Sequence, residues 1–462
     1  MNIGRKDIYW NYLATFLKIA ASAILLPFIL RMMSSETVGI WTVFSTISSL
    51  IVLFDFGFNP SFARNVTYVF SGVTSLKPQG FHSVNIEDKI IVDFQLLKGL
   101  IISMRWFYFR VALVLFLLLI SVGTYYVHYL IINYKGNHQE VYIAWILLCL
   151  ISTYNLYTMY YESLLLGKGL VMRSKQIVIV GQTVYLSIAI LLIYNGYGLI
   201  AIVLAQVLSV IIVRIMSYKT FYNVEIRNNL NSVESVSTQE ILKSIYPNAL
   251  KLGLTGIGSF LVSRSSIIIG SLFLNLSEIA SYGISVQFIT VISALAGIYL
   301  ATYMPTISHL RVLNQIEKIR EIYIRGELVL IFSFFFGGVG LLITGEWLLN
   351  QIGSNTHLVS PSILFITLIV TFLEANHSAA GTLLVTKNEV PFFRASLLSG
   401  AFTVCLLLLF LYVFKLSVIS LVLAPGIAQI VYQNWKWPLE VKRDLGISVR
   451  NLLPTFLKVI RI

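Results

Sequence analysis

Charge is what this 462-residue chain has least of. Asp, Glu, Lys and Arg together make up 11% of it, against roughly 25% in an ordinary soluble domain. A water-exposed surface cannot be built from so few ionic groups, so lipid must be the solvent for most of the chain. Cysteine is scarce as well. Cys149 and Cys405 both lie in apolar runs, which argues against a disulfide framework and leaves them as small apolar filler. No Cys or His cluster has metal-ligand spacing, so neither a metal nor another cofactor is expected. A Walker phosphate loop and a Gly-x-Ser-x-Gly elbow are both missing, so the chain shows no ATP-hydrolysing engine of its own.

Apolar residues make up 57% of the sequence. Each crossing of a bilayer needs about 20 mainly apolar residues. Such stretches occur at roughly 8–30, 36–58, 97–124, 141–165, 174–194, 198–219, 243–273, 279–304, 324–345, 359–383, 392–414 and 418–436. The first carries Lys18 and Pro27 and lacks a small-residue cleavage site, so it reads as a retained helix and not a signal peptide. Turn clusters such as Asn195-Gly196-Tyr197-Gly198 and Gly353-Ser354-Asn355 punctuate the runs.

The net charge of +13 sorts by side of the membrane. Alternate loops and the two ends hold 26 of the 33 Lys and Arg residues; the opposite loops hold only Arg31, Lys135 and Lys415. Positive residues stay cytoplasmic, so both termini are expected inside, in agreement with twelve crossings. These charges lie in water or against anionic headgroups, and no nucleic-acid partner is implied. Residues 437–462 form a basic amphipathic tail in which Leu452, Leu453, Phe456, Leu457 and Ile460 recur at helical spacing. Such a helix lies on the membrane surface.

The polar segment 220–242 divides the chain into residues 1–219 and 243–436, each with six runs, and the halves echo each other. Ser35-Glu36-Thr37-Val38-Gly39 returns as Ser277-Glu278-Ile279-Ala280-Ser281. Ile8-Tyr9-Trp10-Asn11 returns as Ile245-Tyr246-Pro247-Asn248, and Leu164-Leu165-Leu166-Gly167-Lys168 as Leu383-Leu384-Val385-Thr386-Lys387. Repeats with an even number of helices share one topology and relate by an axis along the membrane normal. The expected fold class is therefore an all-α integral membrane protein, with about twelve transmembrane helices in two six-helix lobes related by a pseudo-two-fold axis.

The run Ser35-Glu36-Thr37-Val38-Gly39-Ile40-Trp41, the helix after it, and Asp55-Phe56-Gly57-Phe58-Asn59-Pro60-Ser61 resemble the polysaccharide-export branch of the multidrug/oligosaccharidyl-lipid/polysaccharide flippase superfamily. Within that branch, length and layout look most like the O-antigen-unit (Wzx-type) flippases. The resemblance implies two bundles forming a V in the bacterial inner membrane. It also implies translocation, by alternating access, of an undecaprenyl-pyrophosphate-linked oligosaccharide of the O-antigen, capsule or exopolysaccharide kind. A glycan polymerase or ligase of the same pathway is an implied partner. Arg64 stands where the family often has a basic residue. Segment 71–96 departs from the group in being longer and more polar.

Four cations fall inside predicted spans: Lys18, Arg105, Arg110 and Arg264. Such groups are costly in lipid and face a wet cavity or a partner. Lys18 and Arg264 have comparable depths in the first helices of the two halves, which suits a central cationic cavity for a pyrophosphate-bearing substrate. Embedded acids are few. Asp55 is expected to pair with Arg64, Glu162 to sit near headgroups, and Glu374 to lie on one face with His377, where a proton could be exchanged. Tyr154, Tyr157 and Tyr161, with Tyr160 beside them, make a stripe that reads as an interfacial belt or as packing.

Two other functions compete. A drug/cation antiporter of the same superfamily would favour embedded acids for organic cations, whereas the first helix here offers Lys18. A membrane glycan polymerase or ligase would need catalytic groups and a sizeable loop on the outer face, and the external loops are short.

Overall fold

The computed structural model describes residues 5–76, 92–387 and 391–447. The tail residues 448–462 and residues 77–91 of the long polar segment lie outside them. In lipid every backbone N–H and C=O must be bonded within its own segment or a closed barrel. The described residues accordingly form helices and no strand.

The helices are α1 (Arg5–Met32), α2 (Ser35–Ser48), α3 (Leu50–Phe54), α4 (Phe58–Phe70), α5 (Phe94–Leu118), α6 (Thr124–Leu130), α7 (His138–Tyr157), α8 (Tyr160–Gly167), α9 (Val171–Tyr194), α10 (Gly198–Phe221) and α11 (Val224–Asn231). They continue as α12 (Thr238–Gly270), α13 (Leu276–Val312), α14 (Ile316–Ile352), α15 (Pro361–Val385), α16 (Phe393–Leu408), α17 (Ser420–Ile430) and α18 (Gln433–Asp444). Single π-helical turns, Leu119–Gly123 and Leu409–Val413, follow α5 and α16.

Among the described residues, ten helices are long and apolar enough to cross a membrane. The other two expected crossings are the α2–α3 pair, interrupted at Ser49, and the 11-residue α17. Several helices overrun the apolar stretches that announce them. α13 and α14 each have 37 residues, about 55 Å at 1.5 Å per residue, against a hydrocarbon core of about 30 Å. Hydropathy marks only the part in lipid, while the backbone stays helical through the polar ends. The stretch after α3, expected as a loop, begins with helix α4, whose Phe58, Phe62, Val66 and Val69 are buried.

The chain divides into two compact units. Unit 1 is Met1–Met33 with Phe44–Gly256, and unit 2 is Ser34–Val43 with Ile257–Ile462. In unit 1, α9 packs on α1 and α10, and α7 on α5 and α10. Close approach is licensed by small residues: a Cβ on Gly167 would collide with Val66, and one on Gly181 with Val213. The polar segment 220–242 is part of this unit. Lys98 Nζ donates to the Val233 carbonyl at 2.7 Å, and Ile226 and Leu230 of α11 are buried.

In unit 2, α13 packs on α14 and α15, α15 on α18, and α16 on α17. Its core includes Leu300, Ile307, Ile319, Tyr323, Leu383, Trp437 and Val441. α18 is latched at its end, where Asp444 takes Arg311 Nη2 at 2.7 Å and Lys387 Nζ at 2.5 Å. Arg320 Nε donates to the Leu445 carbonyl at 2.7 Å. The start of α2 also belongs here. A Cβ on Gly39 would strike the Leu276 backbone, and one on Gly283 would strike the Thr42 side chain. The sequence echo at Ser35 and Ser277 thus marks two helix starts that pack on each other through glycines.

Candidate functional site

Helix α7 ends inside a membrane-spanning stretch that runs from His138 to Gly167. Thr158 stands at the break, its hydroxyl donating back to the Tyr154 carbonyl at 2.7 Å. α8 restarts at Tyr160. The turn aims Tyr154, Tyr157, Tyr160 and Tyr161 into one cavity of about 720 Å³ in unit 1, together with Tyr218 and Tyr222 from the end of α10. The tyrosine stripe is therefore a cavity wall and not an interfacial belt.

Three guanidinium groups join these rings: Arg105 of α5, Arg214 of α10 and Arg227 of α11. Arg105 lies beside Tyr157 in the cavity wall. Arg214 Nη2 donates to Asn155 Oδ1 at 2.5 Å, while its Nε–H is buried with no hydrogen-bond partner. Arg227 sits 5.3 Å over the ring of Tyr218, which stacks obliquely on Tyr222 at 5.0 Å. Tyr160 and Tyr161 stack on each other at 4.4 Å. Burial raises the Tyr222 phenol, so it stays a neutral hydrogen-bond donor. The lining contains no Asp or Glu. Guanidinium forks bind phosphate oxygens in pairs, and an orphaned buried N–H is a donor awaiting an acceptor. The cavity thus sets guanidinium donors beside aromatic faces.

Of the cations marked in the sequence, only Arg105 reaches this cavity. Arg110 is exposed and stacks on Trp106 at 4.0 Å. Arg64 is exposed on α4, and Lys18 is exposed on α1. Arg264 is exposed on the part of α12 that belongs to unit 2, within electrostatic reach of Glu374. Arg214, one of the 26 positive residues that the sequence assigns to the cytoplasmic side, lines the cavity inside unit 1 instead. The signal for it was present: Arg214, Tyr218 and Tyr222 are spaced four apart, on one helical face.

The embedded acids also find particular partners. Asp55 accepts from the Tyr108 hydroxyl at 2.6 Å and from the Asn59 amide at 3.0 Å, in place of the expected ion pair with Arg64. It thereby holds the tight turn into α4, where Phe56 and Gly57 take φ of +48° and +70°. Gly253 packs directly on the Phe56 backbone. Glu374 and His377 do not bond each other. Gln429 Nε2 lies 3.5 Å from Glu374 Oε2, and His377 Nδ1 pairs with Asn434 Oδ1 at 2.7 Å. Sequence reading missed Glu327, which lies in α14 one turn after Tyr323. Its Oε2 accepts from Asn376 Nδ2 at 2.6 Å and its Oε1 is buried without a hydrogen-bond partner.

No protein-family model matches the sequence, and no curated protein matches it. Solved structures do match the fold. One is an inward-facing multidrug resistance MATE family transporter of the MOP superfamily, with TM-score 0.64 and 13% identity over 93% of this chain and 94% of that one. Another is the lipid II flippase MurJ in an inward closed conformation, with TM-score 0.58 and 14% identity over 96% and 90%. A third is a MOP superfamily transporter from Pyrococcus furiosus, described as reversed in the polarity of its binding pocket, with TM-score 0.55 and 14% identity over 96% of each chain. The fold is thus that of the twelve-helix MOP superfamily transporters.

Proposed function

We propose that this protein is a flippase that carries an undecaprenyl-pyrophosphate-linked oligosaccharide across the bacterial inner membrane. The observation that carries the reading is the unit 1 cavity, with three arginines, six tyrosines and no carboxylate in its lining. A diphosphate offers paired acceptor oxygens to Arg105, Arg214 and Arg227. The saccharide cannot cross hydrocarbon unaided, because each hydroxyl stripped of partners is costly. A wet, arginine-lined cavity supplies those partners while the polyprenyl chain stays in lipid. Alternating access fits this task, because a path open to both sides at once would leak ions. Lys18 and Arg264, both exposed, extend the proposal as further contacts along the path.

A drug/cation antiporter is the second reading. It draws on Glu327 and Glu374 in unit 2, since organic cations need carboxylates. The unit 1 cavity would repel them.

The test is direct binding to purified protein in detergent. Undecaprenyl pyrophosphate should bind, and Arg105→Ala, Arg214→Ala and Arg227→Ala should each weaken it more than Lys18→Ala or Arg264→Ala does. Cells carrying the arginine variants should accumulate the lipid-linked glycan on the inner leaflet with protein levels unchanged. Unaltered diphosphate binding in the Arg105→Ala/Arg214→Ala double variant, or transport of cationic dyes in its place, overturns the proposal.

A further inference from the structure

Unit 2 has a cavity of its own, of about 380 Å³, and its chemistry is of another kind. Its lining carries no Asp, Glu, Lys or Arg. Ser308 of α13 and Thr382 of α15 line it. Each donates its hydroxyl proton to a carbonyl of its own helix, Met304 at 3.0 Å and Ser378 at 2.8 Å. Their oxygen lone pairs are left to accept. His377 also lines the cavity, with its Nδ1 paired to Asn434 Oδ1 at 2.7 Å.

Donors come from α18. Gln433 lines the cavity, and its side chain carries an amide. Trp437 is 4% exposed and its indole N–H has no hydrogen-bond partner. A buried donor left unbonded is unusual in a native structure. The indole also meets Phe392 edge to face, with centroids 5.9 Å apart, so one wall is aromatic. Arg311 approaches only Thr386, at 3.4 Å, and its charge is committed to Asp444.

A phosphate only accepts and seeks cations, so this lining does not suit it. An organic cation seeks carboxylates, which are missing. The ligand that matches carries hydroxyls, each both donor and acceptor, with an apolar C–H face for the aromatic wall. A volume near 380 Å³ lies within the range of small-molecule sites, about 300–1,000 Å³. We propose that the Trp437 cavity of unit 2 is a binding site for a neutral pyranose ring, a sugar of the proposed glycan substrate. The assignment of that sugar to a lipid-linked substrate rests on the proposed function; the binding of a neutral pyranose does not.

The experiment uses full-length protein in detergent and a panel of neutral methyl glycosides (glucoside, galactoside, rhamnoside and N-acetylglucosaminide), read by saturation-transfer NMR. Inorganic pyrophosphate is titrated in parallel. At least one glycoside should bind. Thr382→Val, which removes one hydroxyl at constant shape, should weaken it at least threefold, and Trp437→Phe at least tenfold. Both variants should bind pyrophosphate like the parent, which also shows them to be folded. Arg105→Ala/Arg214→Ala should do the reverse, losing pyrophosphate and keeping the glycoside. If no glycoside binds while pyrophosphate does, the sugar site is wrong and the flippase reading stands. Glycoside binding unchanged in both Thr382→Val and Trp437→Phe places the sugar elsewhere and overturns the inference. Loss of pyrophosphate binding by the parent protein counts against the proposed function alone.

Discussion

Unit 1 and unit 2 each enclose a cavity, and the two cavities have opposite chemistry. In unit 1, Arg105, Arg214 and Arg227 line about 720 Å³ among tyrosines. In unit 2, hydroxyls, an amide, an imidazole and an indole line about 380 Å³ with no full charge. The carboxylates of unit 2 are held elsewhere in that unit, as Glu327 with Asn376 and Glu374 near Gln429. Two units packed by the same means, glycines and apolar faces, can therefore enclose cavities of different chemistry.

The largest expected effect breaks the comparison at its most charged point. Arg214→Glu replaces a charge-assisted donor by a carboxylate in the unit 1 cavity. Losing such a hydrogen bond alone costs about 1.5–3 kcal/mol, roughly a 10- to 150-fold weaker complex, and the reversed charge adds to it. Titration with undecaprenyl pyrophosphate checks this, and binding within threefold of the parent would contradict it. Asp444→Ala comes next and acts on unit 2 through stability. It leaves Arg311 and Lys387, 13% and 35% exposed, without their shared partner. Breaking such a pair costs about 3 kcal/mol, visible as a lowered unfolding midpoint, and Asp444→Asn should recover part of it.

Salt separates the two cavities more gently. The Debye length falls from about 10 Å at 0.1 M to about 3 Å at 1 M. Pyrophosphate binding should weaken several-fold over that range while glycoside binding stays level. Equal salt dependence for both ligands would mean that both meet the same charges. The smallest effect is expected at Glu440→Gln. Lys436 Nζ, 2.9 Å away, holds the Glu440 carboxyl below the usual range. Any stabilisation is therefore present at neutral pH and lost as the pH falls through the folded value. The pair is solvent-exposed at i,i+4 spacing, where such contributions vanish into solvation and screening. Unfolding midpoints of parent and variant should coincide from pH 4 to pH 8, and a clear gap at pH 7 would show that this pair does more than decorate α18.

Much of the molecule was determined by the sequence alone. Apolar runs near 20 residues, an 11% share of charge and a polar segment at 220–242 follow from local physics: lipid admits only self-satisfied helices. Arg105 and the tyrosine stripe were visible for the same reason, as polar groups at helical spacing in apolar surroundings. What the spacing could not say was where they point. The break at Thr158, the convergence of Arg214 on Asn155 across 59 residues and the capture of Asp55 by Tyr108 across 53 are decisions of tertiary packing. So is the orphaned indole of Trp437. A helix periodicity fixes which residues share a face, but a cavity forms only where faces of several helices meet. The partner of a buried polar group is whichever group that meeting brings within about 3 Å.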